Sequence, residues 1–382
     1  MDDADVAVVG LGAIGASALW RLAERGVSVV GIEQFSPGHD RGSSHGNSRL
    51  FRVACLEHPN LVTLARTSRD LWRELESLSG QPLLTTTGSI TIGSPSSPEV
   101  RDALLAAGQH NLDVERLTDA EVATRYPHHA DIASSHVGVV DPEAGILRPE
   151  AAIVAAVDAA RHAGAHVITE TRITGVAVTD GGVTIETPTG KINARQAVVT
   201  AGAWLGSLAP GLPLRSRRVM QSWFDPKSSA DRSIDLSDFP VFIRALDDGT
   251  SYWGHGQTHG EGAKIGVDWD PDCRWTEPDE LDRDVSPIDY KLVSSLVRDW
   301  LPDLDPNPTK VTPCMVTYTP DHQFFIGRLD NDSPIIVGGG GSGHAFKHAA
   351  GIGELIAQIT QREKPLFDTS FVSPTRTLPD SL

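Results

Sequence analysis

Residues 5–15 read Asp-Val-Ala-Val-Val-Gly-Leu-Gly-Ala-Ile-Gly. Five residues suited to a short buried strand run into glycines spaced Gly10-x-Gly12-x-x-Gly15, and residues 16–25 then have helical composition. Gly26 suits the helix C-cap, 27–32 read as a second apolar strand, and Glu33 closes it. The stretch is therefore a complete βαβ unit. In such a unit the first glycine permits the tight turn, the second lets backbone approach a pyrophosphate, and the third lets helix and strand lie close. The pyrophosphate meets the helix N-terminus, where free N–H groups and the dipole favour negative charge. Glu33 lies about 20 residues on, where the ribose hydroxyls of a dinucleotide would sit. An acid there disfavours the 2′-phosphate of NADP and leaves FAD and NAD.

Outward from this unit, the periodicity predicts a helix over 60–78, a strand over 88–92, and helices near 98–107 and 118–124. Arg148-Pro149-Glu150 opens an alanine-rich helix to about residue 162. A hairpin follows over 173–187, turning at Asp180-Gly181-Gly182, and a short apolar strand over 196–200 runs into Ala201-Gly202-Ala203-Trp204. Residues 219–269 alternate like an antiparallel sheet, and 285–300 look helical. The strand–glycine–helix theme returns at the end, with a strand over 334–337, glycines at 338–341 and a helix over 344–359. A nucleotide-binding domain assembled from separated segments, with a second domain inserted, accounts for this order.

The chain has 382 residues, enough for two sizeable cores, and a formal net charge of -17. That acidity disfavours nucleic acid and anionic lipid as partners, though inward cations can still build a site for an anionic small molecule. No apolar run approaches the roughly 20 residues of a membrane span. The start, Met1-Asp2-Asp3, has no secretory pattern, and Cys55, Cys273 and Cys314 are too few and scattered for a disulfide framework or a metal site. The expected compartment is the cytoplasm. His128 and His129 read as surface residues, and there is no Gly-x-Ser-x-Gly elbow.

Residues 42–52, Gly-Ser-Ser-His-Gly-Asn-Ser-Arg-Leu-Phe-Arg, are small enough to pack against a flat ring, with Arg49 and Arg52 supplying positive charge. Taken alone they are equally a solvated loop. Cys314 and Cys55 taken alone are small core residues, and Lys264 in Gly262-Ala-Lys264-Ile-Gly266 is a surface lysine beside a turn.

Several long motifs in order give more. The glycine fingerprint, Ser-Ser-His-Gly-x-x-Arg-x-x-Arg, Thr-Ala-Gly-Ala-Trp at 200–204, the lone Lys264, Cys-Met-x-Thr-x-Thr-Pro-Asp from Cys314, and Ser-Gly-His-x-Phe-Lys to Lys347 resemble the monomeric sarcosine oxidase and N-methyltryptophan oxidase family of flavin amine oxidases, nearly end to end. The resemblance implies an α/β fold: a Rossmann-like FAD-binding domain of discontinuous segments (1–82, 143–218 and 310–382) plus an antiparallel-sheet substrate domain (83–142 and 219–309). It implies FAD rather than NAD, held covalently through Cys314. It places the cofactor against Gly10, Gly12, Ile14, Gly15 and Glu33, against Ser43, Ser44, His45 and Arg49, against Gly202 and Trp204, and against Gly341, Ser342, Gly343, His344 and Lys347. Lys264, Arg49 and His45 are the implied catalytic groups around the flavin. Arg52 and Lys347 would bind a substrate carboxylate, with Val316, Asp268 and Tyr252 near the substrate.

The chain departs from the family pattern in three places. Val316 stands where tyrosine is usual, Ala345 where glycine is usual, and Asp268 where sarcosine oxidases carry histidine. These leave the expected reaction in place and move the substrate away from sarcosine itself. The expected reaction is two-electron oxidation of the C–N bond of an N-substituted amino acid by a monomer. Oxygen is the acceptor, and the imine hydrolyses to amine and aldehyde or keto acid with release of hydrogen peroxide. A positive pocket would favour the neutral amine. Rival readings are an oxidase or desaturase of a cyclic imino acid, a flavin dehydrogenase with another acceptor, and a non-catalytic nucleotide-binding protein.

Overall fold

The computed structural model describes residues 4–379, so Met1-Asp2-Asp3 and the outermost ends of the expected domains lie outside the described residues. The opening βαβ unit forms as β1 (Ala4–Val9), α1 (Ala13–Glu24) and β2 (Val29–Ile32). β1 pairs in parallel with β2 on one side and with the strand Gly190–Val199 on the other. It is thus an interior strand, and Val6, Ala7, Val8 and Val9 are all buried, which explains their continuous rather than alternating apolar run. α1 lies between the helices Pro149–His162 and Ala349–Thr360, whose small residues allow close packing.

Eight strands make the first sheet. The hairpin Gly175–Thr179 and Gly182–Thr187 leads into Gly190–Val199, then β1, β2 and His166–Ile168; Ile335–Gly339 also pairs with Gly190–Val199 and carries Phe325–Arg328. Nine strands make the second sheet, including Ser89–Gly93, Val137–Asp141, Arg215–Phe224, Val241–Ala245, Ser251–His255 and Ala263–Val267. A small third sheet joins Arg49–Phe51, Gly145–Leu147 and Leu84–Thr86. No helix among the described residues is long and apolar enough to cross a membrane.

Four points differ in detail from the sequence reading. The strand Lys310–Tyr318, assigned from sequence to the nucleotide-binding domain, pairs along its whole length with Arg215–Phe224 and belongs to the second sheet. That sheet is not purely antiparallel, because Val241–Ala245 runs parallel to Ser89–Gly93. His128 and His129 are buried: His128 Nδ1 lies 2.8 Å from Asp303 Oδ2, and His129 packs edge-on against Phe242. The last predicted helix also starts later, at Ala349, after a single 3-10 turn over Phe346–His348. The first residues of that predicted helix, His344 and Ala345, belong instead to a turn that begins at Gly341 on the wall of the site.

Candidate functional site

One cavity of about 1200 Å³ runs from the Gly10–Ile14 turn, past Glu33 and residues 200–204, to Cys314 on the second sheet and the 338–347 turn. Its first end is built by close approach. A Cβ on Gly15 would come within 1.8 Å of the Gly10 carbonyl oxygen, so only glycine lets the first turn of α1 lie there. A Cβ on Gly12 would meet no protein atom within 4 Å, yet Gly12 faces the cavity, so its missing side chain leaves space for something other than protein. Glu33 accepts hydrogen bonds from the backbone N–H of Leu11 at 2.7 Å and of Phe35 at 3.0 Å, fixing the turn against the end of β2. A tight turn, a helix N-terminus and an acid at the second strand's end fit a dinucleotide without a 2′-phosphate.

Farther along, residues 43–49 form a shelf tied together by Arg49. Its guanidinium donates to the Ser48 carbonyl at 2.8 Å, the Ser43 carbonyl at 2.7 Å and Gln221 Oε1 at 3.0 Å, and lies 3.9 Å from Cys314 Sγ. Glu150 anchors the shelf from outside by accepting from the Gly46 N–H at 2.6 Å. Lys264 donates to the carbonyls of Gly46 at 2.8 Å and Ser48 at 3.1 Å, so its ammonium sits behind the shelf rather than on the cavity wall. Burial, then the Arg49 charge, push its pKa well below the ordinary lysine value. His45 is buried beside Gln221, and burial with the Arg49 charge lowers its pKa to about 3, so the imidazole is neutral. His45, Lys264 and Gly15 all support the wall from behind. The other cofactor residues expected from sequence, Gly10, Gly12, Ile14, Glu33, Ser43, Ser44, Arg49, Gly202, Trp204, Cys314, Gly341, Ser342, Gly343, His344 and Lys347, line the cavity itself.

At the other end Arg52 and Lys347 converge, but on a residue the sequence reading did not single out. Glu57 Oε1 accepts from Lys347 Nζ at 2.7 Å and from Arg52 Nη2 at 3.0 Å. Burial pushes the Glu57 carboxyl up, but the Lys347 and Arg52 charges outweigh it and hold its pKa well below the usual value. Nε and Nη1 of Arg52 have no protein partner among the described residues. Two cations therefore hold one carboxylate and keep donors to spare. Cys55 Sγ and His348 lie with Glu57 within 4.8 Å, but this is no ready metal site: Glu57 is taken by two cations, and burial pushes the Cys55 thiol up to about 12, keeping it protonated.

Val316 and Asp268 also line the cavity. Tyr252 does not: it is fully buried in the second sheet's core, edge-on to Phe242, while its neighbour Trp253 faces the cavity. The two-residue alternation of the strand Ser251–His255 decides this, and placing Tyr252 near substrate is one residue out of register.

A dinucleotide turn continuous with a cation-rich pocket, on an α/β frame, fits a dinucleotide-dependent enzyme, and the family match specifies FAD and oxidoreductase chemistry. The chain belongs to the FAD dependent oxidoreductase family, matched over residues 5–359. It is 32% identical over 379 residues to the monomeric sarcosine oxidase of Bacillus sp. (strain B-0618), covering 97% of this chain and 96% of that one. It is 30% identical to the N-methyl-L-tryptophan oxidase of Salmonella arizonae, covering 95% and 96% of the two chains. With these relatives it is a flavin-dependent amine oxidoreductase of the sarcosine oxidase type. The fold is shared with NikD, described as an unusual amino acid oxidase essential for nikkomycin biosynthesis, in its open form, at a TM-score of 0.84, 21% identity and 100% coverage of both chains.

Proposed function

We propose that the protein oxidises the C–N bond of an N-substituted amino acid, N-methyl or a similar secondary amine, with oxygen as acceptor. The observation that carries this is the pairing of Arg52 and Lys347 around a carboxylate, with Arg52 donors left over, in the cavity that fits FAD. When bound, FAD supplies the two-electron acceptor for a hydride equivalent from the carbon next to nitrogen. Arg52 presents a planar fork and Lys347 a point charge, a complementary pair for a substrate carboxylate that takes the place of Glu57. Cys314 is the point of covalent attachment to FAD, with the Arg49 guanidinium 3.9 Å from its sulfur. Arg49 supplies positive charge beside that position, and Lys264, donating to the Gly46 and Ser48 carbonyls behind it, adds its N–H donors from the second rank, so that a developing oxygen anion is stabilised in a low-dielectric setting. The imine product hydrolyses to an amine and an aldehyde or keto acid, and hydrogen peroxide leaves. The partners in this reading are a small amine and oxygen, and the protein acts as a cytoplasmic monomer.

A second reading, oxidation of a cyclic imino acid, draws on Val316, whose small side chain on the cavity wall leaves room for a ring. Peroxide release with oxygen as sole acceptor, measured over N-methyl and cyclic amino acids and their decarboxylated amines, tests both. Losing a charged partner in a dry site costs about 2–4 kcal/mol, so an amino acid should exceed its decarboxylated amine in kcat/KM by roughly 30-fold to 1000-fold. Equal turnover of acid and amine rejects the clamp. Release of an aldehyde or keto acid separates the N-methyl reading from the cyclic one.

A further inference from the structure

Of the nine carboxylates lining the cavity, five are engaged: Glu33 by backbone N–H groups, Glu57 by Arg52 and Lys347, Asp102 by Arg101, Asp279 by Arg172 and Trp204, and Asp321 by Arg376. Glu99, Glu277, Glu280 and Asp268 have no ion pair among the described residues, and of these four Asp268 is the one held in place by a side-chain hydrogen bond. It follows the strand Ala263–Val267, faces the cavity between Val267 and Trp269, and accepts a hydrogen bond from Ser251 Oγ at 2.7 Å through Oδ2. No ion pair involves it among the described residues. Its surroundings mix signs: Arg52 pulls its pKa down while Glu99 and Glu57 push it up, and Tyr318 lies close enough to feel its charge. The carboxylate-binding pair and an unpaired carboxylate thus share one pocket, within electrostatic reach of each other.

We propose that Asp268 binds the amino group of the substrate as a cation, so that the pocket takes the zwitterion, with Arg52 and Lys347 on its carboxylate and Asp268 on its ammonium. This rests on the amino-acid reading above and alters one part of it. A purely positive pocket would select the neutral amine; an ionised carboxylate opposite the clamp favours the protonated one. In water at neutral pH nearly all of a secondary amino acid is zwitterion, so the pocket matches the abundant form. The amine must lose its proton before hydride can leave the adjacent carbon. Asp268 is the acceptor at hand: the N–H bond breaks, an O–H bond forms on the carboxylate, and the electron pair stays on nitrogen. The Asp268 side chain is open to the cavity, yet the protein around it pushes its carboxyl up to about 6, against the Ser251 hydrogen bond and the Arg52 charge, which narrows its gap to the amine.

The test compares two ligands of the same shape, trimethylammonioacetate and 3,3-dimethylbutanoate, which differ only in a cationic nitrogen replacing a carbon. Neither has an amine lone pair, so neither can form an imine. Their dissociation constants for the flavin-bearing protein are measured by calorimetry. At pH 8 the cationic ligand should bind at least tenfold tighter. The preference should fade as pH drops through about 6, because a raised carboxyl pKa means loss of the charge on that side. Asp268→Asn should abolish it while leaving the binding of 3,3-dimethylbutanoate within about threefold. Equal binding of the two ligands by the unmutated protein overturns the proposal and leaves the carboxylate clamp standing. A preference that survives Asp268→Asn but vanishes in Glu57→Gln assigns the effect to Glu57 and likewise overturns it. Failure of both ligands to bind removes the clamp, and the proposal with it.

Discussion

At the scale of single residues, Arg52 and Lys347 could be picked out by motif, but their partner could not. Glu57 lies in Cys55-Leu-Glu57-His58, five residues past Arg52 in a segment without periodicity, and nothing local says that its side chain turns back. The available signal was charge balance: two cations from separate segments that turn into one interior require a counter-charge. Glu57 stands in the molecule as a competitor for any substrate carboxylate. Glu57→Gln should therefore tighten binding of 3,3-dimethylbutanoate by about tenfold, since the ligand no longer displaces a charged pair worth about 1.5–3 kcal/mol. The same change should lower the melting temperature, because Arg52 and Lys347 are left without an ionised partner. Unchanged or weaker binding would mean that Glu57 does not occupy the substrate's place. Tyr252 shows the other limit of reading residue by residue. In a strand the choice between core and cavity turns on a register of one, and the run Ser-Tyr-Trp-Gly-His, with two aromatics in succession, does not reveal which faces in.

At the scale of elements, what was legible is what is local. The first strand–turn–helix, the helix Leu61–Ser79, the helix Pro149–His162 and the hairpin after it all carry their own period, cap or turn signal. The parallel pairing of Val241–Ala245 with Ser89–Gly93 and the third sheet were not legible, since they join segments far apart in sequence and leave no pattern in either partner. The glycine turn offers a sharp test of what each element needs. In Gly15→Ala the new methyl would lie 1.8 Å from the Gly10 carbonyl oxygen and 2.5 Å from Thr200 Oγ1, between backbone fixed by β1 and a side chain donating to that same carbonyl. Overpacking of this kind costs about 1–3 kcal/mol, so both stability and flavin content should fall. In Gly12→Ala the methyl meets no protein atom and the residue sits at φ −68°, open to any L-residue. That variant should keep the fold by circular dichroism and thermal melting while holding flavin at least tenfold more weakly. If Gly12→Ala retains full flavin, the cofactor does not pass over this turn.

At the scale of the whole molecule, the cavity belongs to neither sheet. Its first end is β1, α1 and Glu33; its other wall is the strand Lys310–Tyr318, which carries Cys314 and is held by nine register pairs to Arg215–Phe224 of the second sheet. A cofactor reaching from Gly12 to Cys314 therefore bridges both sheets, and its binding energy adds to the stability of the fold as a unit. In the native protein a covalent link would make that contribution irremovable, so the variant Cys314→Ser is needed to measure it. Flavin should stay with the native polypeptide through denaturation and leave the Cys314→Ser polypeptide completely. With the variant saturated at about 1,000 times its dissociation constant, ligand linkage contributes about 4.1 kcal/mol. The unfolding entropy of a chain this long, at about 2.1 cal/mol/K per residue, converts that to a rise of about 5 °C in melting temperature over the flavin-free variant. For a cofactor that touches both sheets, the rise should appear in a single transition reported alike by tryptophan fluorescence and far-ultraviolet circular dichroism. Two transitions, of which only one moves with flavin, would show that the second sheet unfolds independently and that the cofactor is held by the first alone. Flavin freely extracted from the native protein would remove Cys314 from its assigned role and leave the Arg49 guanidinium beside it as a charge for the cofactor's reacting end.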